Sequence, residues 1–266
     1  MKTVVITGST SGIGKELVKI FSKDCKVFAG YRNENLIENI DNVEYFYIDL
    51  IDRNSIHSAI DNLKSKTDKI DILINVAGGV VAGPVELLDM DNLREQFELN
   101  TFSHLEFTQG LIPLLEDAKV INISSMSSFG HFPFISPYCA SKRAMDILFN
   151  ALSIENHKNI KVISIKPGVI STPLWQKSVD KNEKALTNCI GYEKEMEFIK
   201  ANALKNTDKG LNVTKVAKFI YDVSKKHNPK PSYTIGFDAK FAEFLSIFPQ
   251  NIINKIIKFG MNARIK

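Results

Sequence analysis

The chain predicts an α/β fold, a doubly wound parallel sheet in a single domain with an amphipathic helical extension at its C-terminus. Three observations carry this. Short apolar runs alternate with amphipathic stretches, a glycine-rich turn separates the first of each, and 266 residues suit one large core. Such alternation implies parallel strands buried on both faces beneath helices. Hydrophobic residues are 44% of the chain and charged residues 24%, a balance that argues against disorder. The net charge of +4 is small and unclustered over the first two-thirds, so no nucleic-acid footprint is expected. Cys25, Cys139 and Cys189 are widely spaced, fitting neither a disulfide framework nor a metal site, and point to a reducing cytoplasm. The five histidines lack metal-ligand spacing. There is no apolar run of the ~18 residues a membrane span needs, and no leader is read in the opening residues.

Strands are expected over residues 4–7, 27–30, 43–48, 70–76, 120–124 and 161–166, and helices over 13–22, 53–65, 90–115 and 138–155. The first strand enters Thr7-Gly8-Ser9-Thr10-Ser11-Gly12-Ile13-Gly14. Glycines there let the backbone turn and approach a ligand, while the following helix offers free N–H groups and a positive dipole end. The pyrophosphate of a dinucleotide is the natural guest. After the second strand, Tyr31 stands where an acid would meet free ribose hydroxyls, and Arg32 follows it. That exchange favours a 2′-phosphate, hence NADP(H), with NAD(H) as second choice. Asp49, ahead of Leu50, is read two ways: as acceptor for the adenine amino group, or as cap of the helix beginning near Asp52.

Residues 125–142 hold the reactive pattern. Tyr138 and Lys142 are four apart, which on a helix puts them on one face roughly 5–6 Å apart at Cβ. Ser136 as N-cap and Pro137 in the first turn support a helix start there. A phenol beside a fixed ammonium is a tunable proton donor, strongly so only in a partly dry site. Ser125 follows the fifth strand and is joined to Tyr138 by a glycine-containing loop, so both hydroxyls can converge on one oxygen.

Together these residues resemble the short-chain dehydrogenase/reductase family, in its compact branch with a Rossmann-type domain. Residues 7–14 match its Thr-Gly-x-x-x-Gly-x-Gly turn, and Tyr138 and Lys142 its Tyr-x-x-x-Lys motif. Ser125 sits at the family's interval, Asn100 matches the asparagine completing its tetrad, and Pro167-Gly168 with Thr172 match its nicotinamide loop. The likeness spans roughly residues 3–175.

The resemblance implies a reversible carbonyl reductase. Tyr138 would be general acid, Lys142 would lower the Tyr138 pKa and bind the nicotinamide ribose, Ser125 would polarise the carbonyl, and Asn100 would hold a water behind Lys142. Cofactor contacts would come from Gly8, Ser9, Ser11, Gly12, Ile13, Gly14, Arg32, Asp49, Leu50, Asn75, Ala77, Gly78, Tyr138, Lys142, Pro167, Gly168 and Thr172. One motif departs: the family's Asn-Asn-Ala-Gly reads Asn75-Val76-Ala77-Gly78, which leaves a backbone contact in the central sheet to water or other groups. The competing reading is an NADP(H)-binding redox sensor or scaffold without turnover. The resemblance also implies a homo-oligomer, dimer or tetramer, pairing the helices near 90–115 and 138–155.

Residues 1–236 are expected to form the dinucleotide-binding and catalytic domain, with a substrate lid at about 173–212. Leu174, Trp175, Ile190, Tyr192, Met196 and Phe198 are candidates for pocket or lid core. Phe129, Phe132 and Phe134 are the stronger candidates for pocket walls, and His131 is either a substrate contact or an exposed loop residue. Cys139-Ala-Ser-Lys142 and Tyr31-Arg32 look most like the steroid- and retinol-dehydrogenase side of the family, pointing to a lipophilic ketone or aldehyde. In residues 237–266, Phe241, Phe244, Leu245, Phe248, Ile252, Ile253, Ile256, Ile257 and Phe259 recur at helical intervals. Lys240, Lys255, Lys258, Arg264 and Lys266 lie opposite. This extension either docks on the body or a partner subunit, or lies on an anionic membrane surface.

Overall fold

In the computed structural model the apolar runs become seven parallel strands of one sheet: β1 (Lys2–Ile6), β2 (Cys25–Tyr31), β3 (Val43–Tyr47), β4 (Ile72–Asn75), β5 (Lys119–Ile123), β6 (Lys161–Pro167) and β7 (Ser232–Ile235). Their spatial order is β3-β2-β1-β4-β5-β6-β7. The chain therefore winds outward from β1 on one side, then restarts at β4 on the other, placing a topological switch point between β1 and β4. The structure describes residues 1–183 and 189–264, with side chains to residue 261. Residues 184–188 of the expected lid, the Arg264 side chain and Lys266 lie outside the described residues.

Period-two alternation decides which face each strand residue meets. Val4 and Ile6 join Leu17, Val18 and Phe21 of α1 (Gly12–Phe21) and Val216, Ile220 and Val223 of α8 (Val213–Lys225). Val5 points the other way. It packs with Ile56, Ile60 and Leu63 of α2 (Arg53–Lys66), Phe107 and Leu111 of α4 (Ser103–Leu111), and Met145 and Phe149 of α5 (Ser136–Glu155). Two buried layers thus clamp the sheet and fix the strand ends that carry the site.

The expected helix over 90–115 is broken. It consists of α3 (Met90–Phe97), a π-helical turn over Glu98–Phe102, and α4. A π turn inserts one extra residue, a device common at functional sites, and this one holds Asn100. The helix carrying Tyr138 begins at Ser136 rather than after it. Ile135 stands at the cap position with no side-chain cap bond, while Pro137 lies in the first turn as expected.

The second half adds α6 (Leu174–Lys181), α7 (Glu193–Lys209), β7, α9 (Phe237–Leu245) and α10 (Gln250–Arg264). Asp238, second in α9, accepts a hydrogen bond from Val169 N at 2.8 Å, and a Cβ at Gly168 would strike its carboxylate. No described helix is long and apolar enough to cross a membrane.

Candidate active site

A cleft of about 270 Å³ opens at the carboxyl ends of the strands, at the switch point. Its floor is the turn between β1 and α1. Gly8 (φ 63°) and Gly12 (φ 51°) hold left-handed conformations that favour glycine. A Cβ at Gly14 would fall 2.1 Å from Gly8 O, so the helix packs against its own turn. Gly8, Ser11, Gly12 and Ile13 line the cleft, whereas Ser9 is buried and donates its hydroxyl to Gly30 O at 2.8 Å.

Arg32, Asp49, Leu50, Ala77, Gly78, Pro167, Gly168 and Thr172 also line it. Among the described residues no ion pair joins Arg32 to Glu34. Asp52, not Asp49, caps α2, accepting from Asn54 N at 2.9 Å, while Asp49 accepts from Ile51 N at 3.0 Å. Asn75 lies behind the wall, its amide donating to Asn122 Oδ1 at 2.8 Å. A bare turn at a helix N-terminus, two positive-φ glycines and a cation at the end of β2 fit a phosphorylated dinucleotide.

The reactive side chains meet on the far wall. Tyr138 and Lys142 lie one turn apart on α5, both buried and both lining the cleft with Ser125. Burial pushes the Tyr138 phenol up to about 12, against a hydrogen bond to Ser125 that pulls it down. Burial draws Lys142 down to about 8, opposed by Asp146. The Lys142 ammonium donates to Ile123 O at 2.9 Å, and burial leaves the Tyr138 phenol protonated. Ser125 opens the 3₁₀ turn Met126–Phe129, where its Oγ accepts from Ser127 N at 3.1 Å.

Asn100 does not line the cleft; it braces it. Its Oδ1 accepts from Gly79 N at 2.9 Å, and its Nδ2 donates to Gly79 O at 3.0 Å and Ser141 Oγ at 3.1 Å. Two more carboxamides grip the same extended segment. Gln96 Oε1 accepts from Val81 N at 2.5 Å and its Nε2 donates to Gly79 O at 2.8 Å. Asn182, just past α6, accepts from Ala82 N at 3.0 Å and donates to Val80 O at 2.8 Å, which also receives Ser178 Oγ at 3.2 Å. Residues 79–82 are thereby held by the elements on both sides.

Next to Val76, whose own N–H donates to Thr7 Oγ1 at 3.0 Å, the Nε2–H of His104, one turn after Asn100, donates to Ala77 O at 2.8 Å. Burial drives this imidazole down to about 3, so it is neutral.

Several pocket expectations move. Leu174 and Trp175 line the cleft, with Trp175 Nε1 donating to Ile170 O at 2.9 Å. Phe129, Phe132 and Phe134 do not. Phe129 lies under Lys166 Nζ, 4.5 Å from the ring centroid, and Phe134 meets Tyr192 edge-on at 6.0 Å. Met196 is buried in a separate cluster with Ala82, Val179 and Cys189, Ile190 is exposed, and the Tyr192 hydroxyl bonds Glu86 at 2.7 Å. His131 is a loop residue that ties down α10 through Asn254 Oδ1 at 2.8 Å.

Comparison with known proteins gives the family and the fold. The short chain dehydrogenase family model matches residues 2–183. The chain belongs to that family. A probable short-chain type dehydrogenase/reductase of Helicobacter pylori is 33% identical over 268 residues, covering 98% of each chain. An NADPH-dependent 3-dehydrocapnine reductase of Ornithobacterium rhinotracheale is 28% identical over 274 residues, covering 96% of each. Among solved structures, the closed form of a serine dehydrogenase complexed with NADP+ superposes with a TM-score of 0.75. It is 20% identical, over 88% of this chain and 94% of that one. This short-chain dehydrogenase is thus an oxidoreductase with the family's fold.

Proposed function

We propose that this short-chain dehydrogenase reduces a lipophilic ketone or aldehyde with NADPH, reversibly. The observation that supports it best is the meeting of the Tyr138 phenol, Ser125 hydroxyl and Lys142 ammonium in one cleft wall. Two hydroxyls converging on one point suit a carbonyl oxygen gaining negative charge. Ser125 polarises it by donating a hydrogen bond, and Tyr138 passes over its proton. NADPH, when bound, supplies the hydride. The glycine turn would hold its pyrophosphate, Arg32 its 2′-phosphate and Lys142 its nicotinamide ribose. Asn100 fixes the neighbouring backbone behind Lys142 and would hold the water that returns a proton.

The apolar walls at Leu99, Ile170, Leu174 and Trp175 favour a lipophilic substrate, and the reductase of 3-dehydrocapnine supplies a relative acting on an oxidised compound with NADPH. Tyr138→Phe is expected to cut turnover by about 10²-fold or more while sparing NADPH affinity, read from a carbonyl panel and a fluorescence titration. Near-normal turnover in that variant removes the proposed acid. A wild type that binds NADPH but consumes none across the panel favours the redox-sensor reading.

The proposal extends to association. Ile147 and Leu148 on α5 and Phe102 beside α4 are exposed, which supports pairing of two copies across these helices. Along the proposed extension after residue 236, α9 exposes Phe237, Phe241 and Phe244, and α10 exposes Ile252, Ile256 and Phe259, with Lys240, Lys255 and Lys258 also exposed. That pairing of aromatic and cationic groups supports reversible contact with an anionic membrane surface. Ile252→Ser/Ile256→Ser/Phe259→Ser is expected to abolish sedimentation with anionic vesicles. Equal binding before and after substitution excludes this surface.

A further inference from the structure

The face of α5 that carries Tyr138 and Lys142 continues one turn further to Asp146, so three ionisable groups stand at i, i+4 and i+8 on one helix. Asp146 is 1% exposed, and its Oδ2 lies 3.0 Å from Lys166 Nζ on β6, itself 9% exposed. The geometry does not make a hydrogen bond, so the contact is an ion pair, and Asp146 Oδ1 has no hydrogen-bond partner at all. The other neighbour of the Lys166 ammonium is the ring of Phe129, in the turn that begins beyond Ser125.

A buried ion pair is a poor device for stability, since apolar residues of similar volume do as well or better in its place. Its position suggests another use. We propose that Asp146 is the counter-ion that keeps Lys142 charged inside a desolvated site, with Lys166 setting how much of the carboxylate's field reaches Lys142. Both are positioning residues for the reduction proposed above, and the inference rests on that reading.

The groups that face Lys142 allow the assignment. From α4 comes His104, neutral because burial drives it to about 3. Lys166 of β6 enters through Asp146, its ion-pair partner. On α5 itself are Tyr138 and Cys139, protonated because burial pushes them to about 12 and about 11. Among the described residues, Asp146 is the carboxylate whose charge acts on Lys142. It is also the one interaction that opposes the effect of burial on Lys142. Without it burial would act on the ammonium unopposed, and the charge proposed for the cofactor ribose would be lost at a lower pH.

The test is the titration of the Lys142 Cε resonance in full-length protein labelled with ¹³C-lysine, assigned by its loss in Lys142→Arg. It is read beside the pH dependence of kcat for NADPH-linked carbonyl reduction. In Asp146→Asn the midpoint is expected to fall by about one unit, and the loss of activity on the alkaline side to move down with it. Lys166→Met, which frees the carboxylate, is expected to move both upward. Asp146→Asn/Lys166→Met removes the Asp146–Lys166 pair as a unit, so neither member of that pair is left buried without the other, and it serves where a single variant fails to fold. Its midpoint is expected below that of the wild type but above that of Asp146→Asn. An unmoved or raised midpoint in Asp146→Asn, or in the double variant, overturns the proposal. If even the wild type consumes no NADPH, the reductase reading fails, while the resonance still reports on the counter-ion.

Discussion

Replacing Asn182 by Ala separates what holds residues 80–82 against α6 from the groups proposed for the chemistry. The carboxamide is buried and serves Ala82 N at 3.0 Å and Val80 O at 2.8 Å. Val80 O keeps Ser178 Oγ as a second donor. Ala82 N, 4% exposed as a residue, is left without its acceptor. One orphaned buried donor costs about 1–3 kcal/mol. Taking about 2 kcal/mol, the melting temperature of a chain this size falls by about 4–8 °C. The apolar cluster of Ala82, Val179, Cys189 and Met196 loses its polar anchor at the same place. Faster amide exchange is therefore expected at Ala82, with cleavage by protease within residues 173–212 and a higher substrate KM. Gln176→Ala is the control: it removes only an exposed contact to Asp180 on the same helix, and is expected to stay within about 0.5 kcal/mol of the parent. A melting temperature unchanged in Asn182→Ala, with Ala82 still protected, refutes the reasoning.

Two further outcomes follow from charge. His104 is held at about 3 against an ordinary 6.5, so below pH 6.5 the unfolded chain takes up a proton that the folded chain refuses. Stability is full above 6.5 and is lost as the pH falls toward 3, by about 2 kcal/mol between pH 6.5 and 5 from this residue. Urea unfolding at pH 7 and pH 5 measures it, and His104→Gln, which still has an N–H for Ala77 O, should flatten the difference. Arg32→Ala is expected to reduce the preference for NADPH over NADH by about 10–100-fold, since hydrogen bonds to charged groups are worth about 1.5–3 kcal/mol. Fluorescence titration with both nucleotides reads the ratio, and an unchanged ratio takes Arg32 out of the 2′-phosphate site.

What the sequence made legible was local. Tyr138 and Lys142 follow from helical spacing alone, and the glycine turn from its place between β1 and α1. The central strands announce themselves by being apolar on both faces. β7 does not, because it is four residues long and partly exposed at the edge of the sheet. The break in the 90–115 helix was equally silent, since one extra residue in a turn barely disturbs the pattern of apolar positions. Asn182, Gln96 and His104 were missed for a different reason. Each side chain recognises a main-chain group, which has no residue identity to match, and Ala82 and Asn182 are 100 positions apart. Phe129 and Phe134 misled because loop aromatics look like pocket walls until the fold shows Phe129 under a lysine and Phe134 against Tyr192.

The bond from Val169 N to Asp238 has a practical bearing on engineering. A chain cut after Gly236, or given another protein's last thirty residues, would lose more than its surface character. The loop beyond β6 would be unlatched where Pro167, Gly168 and Thr172 line the cleft. Designers who wish to change the surface of α9 and α10 should therefore repaint their outward side chains and leave Asp238 in place.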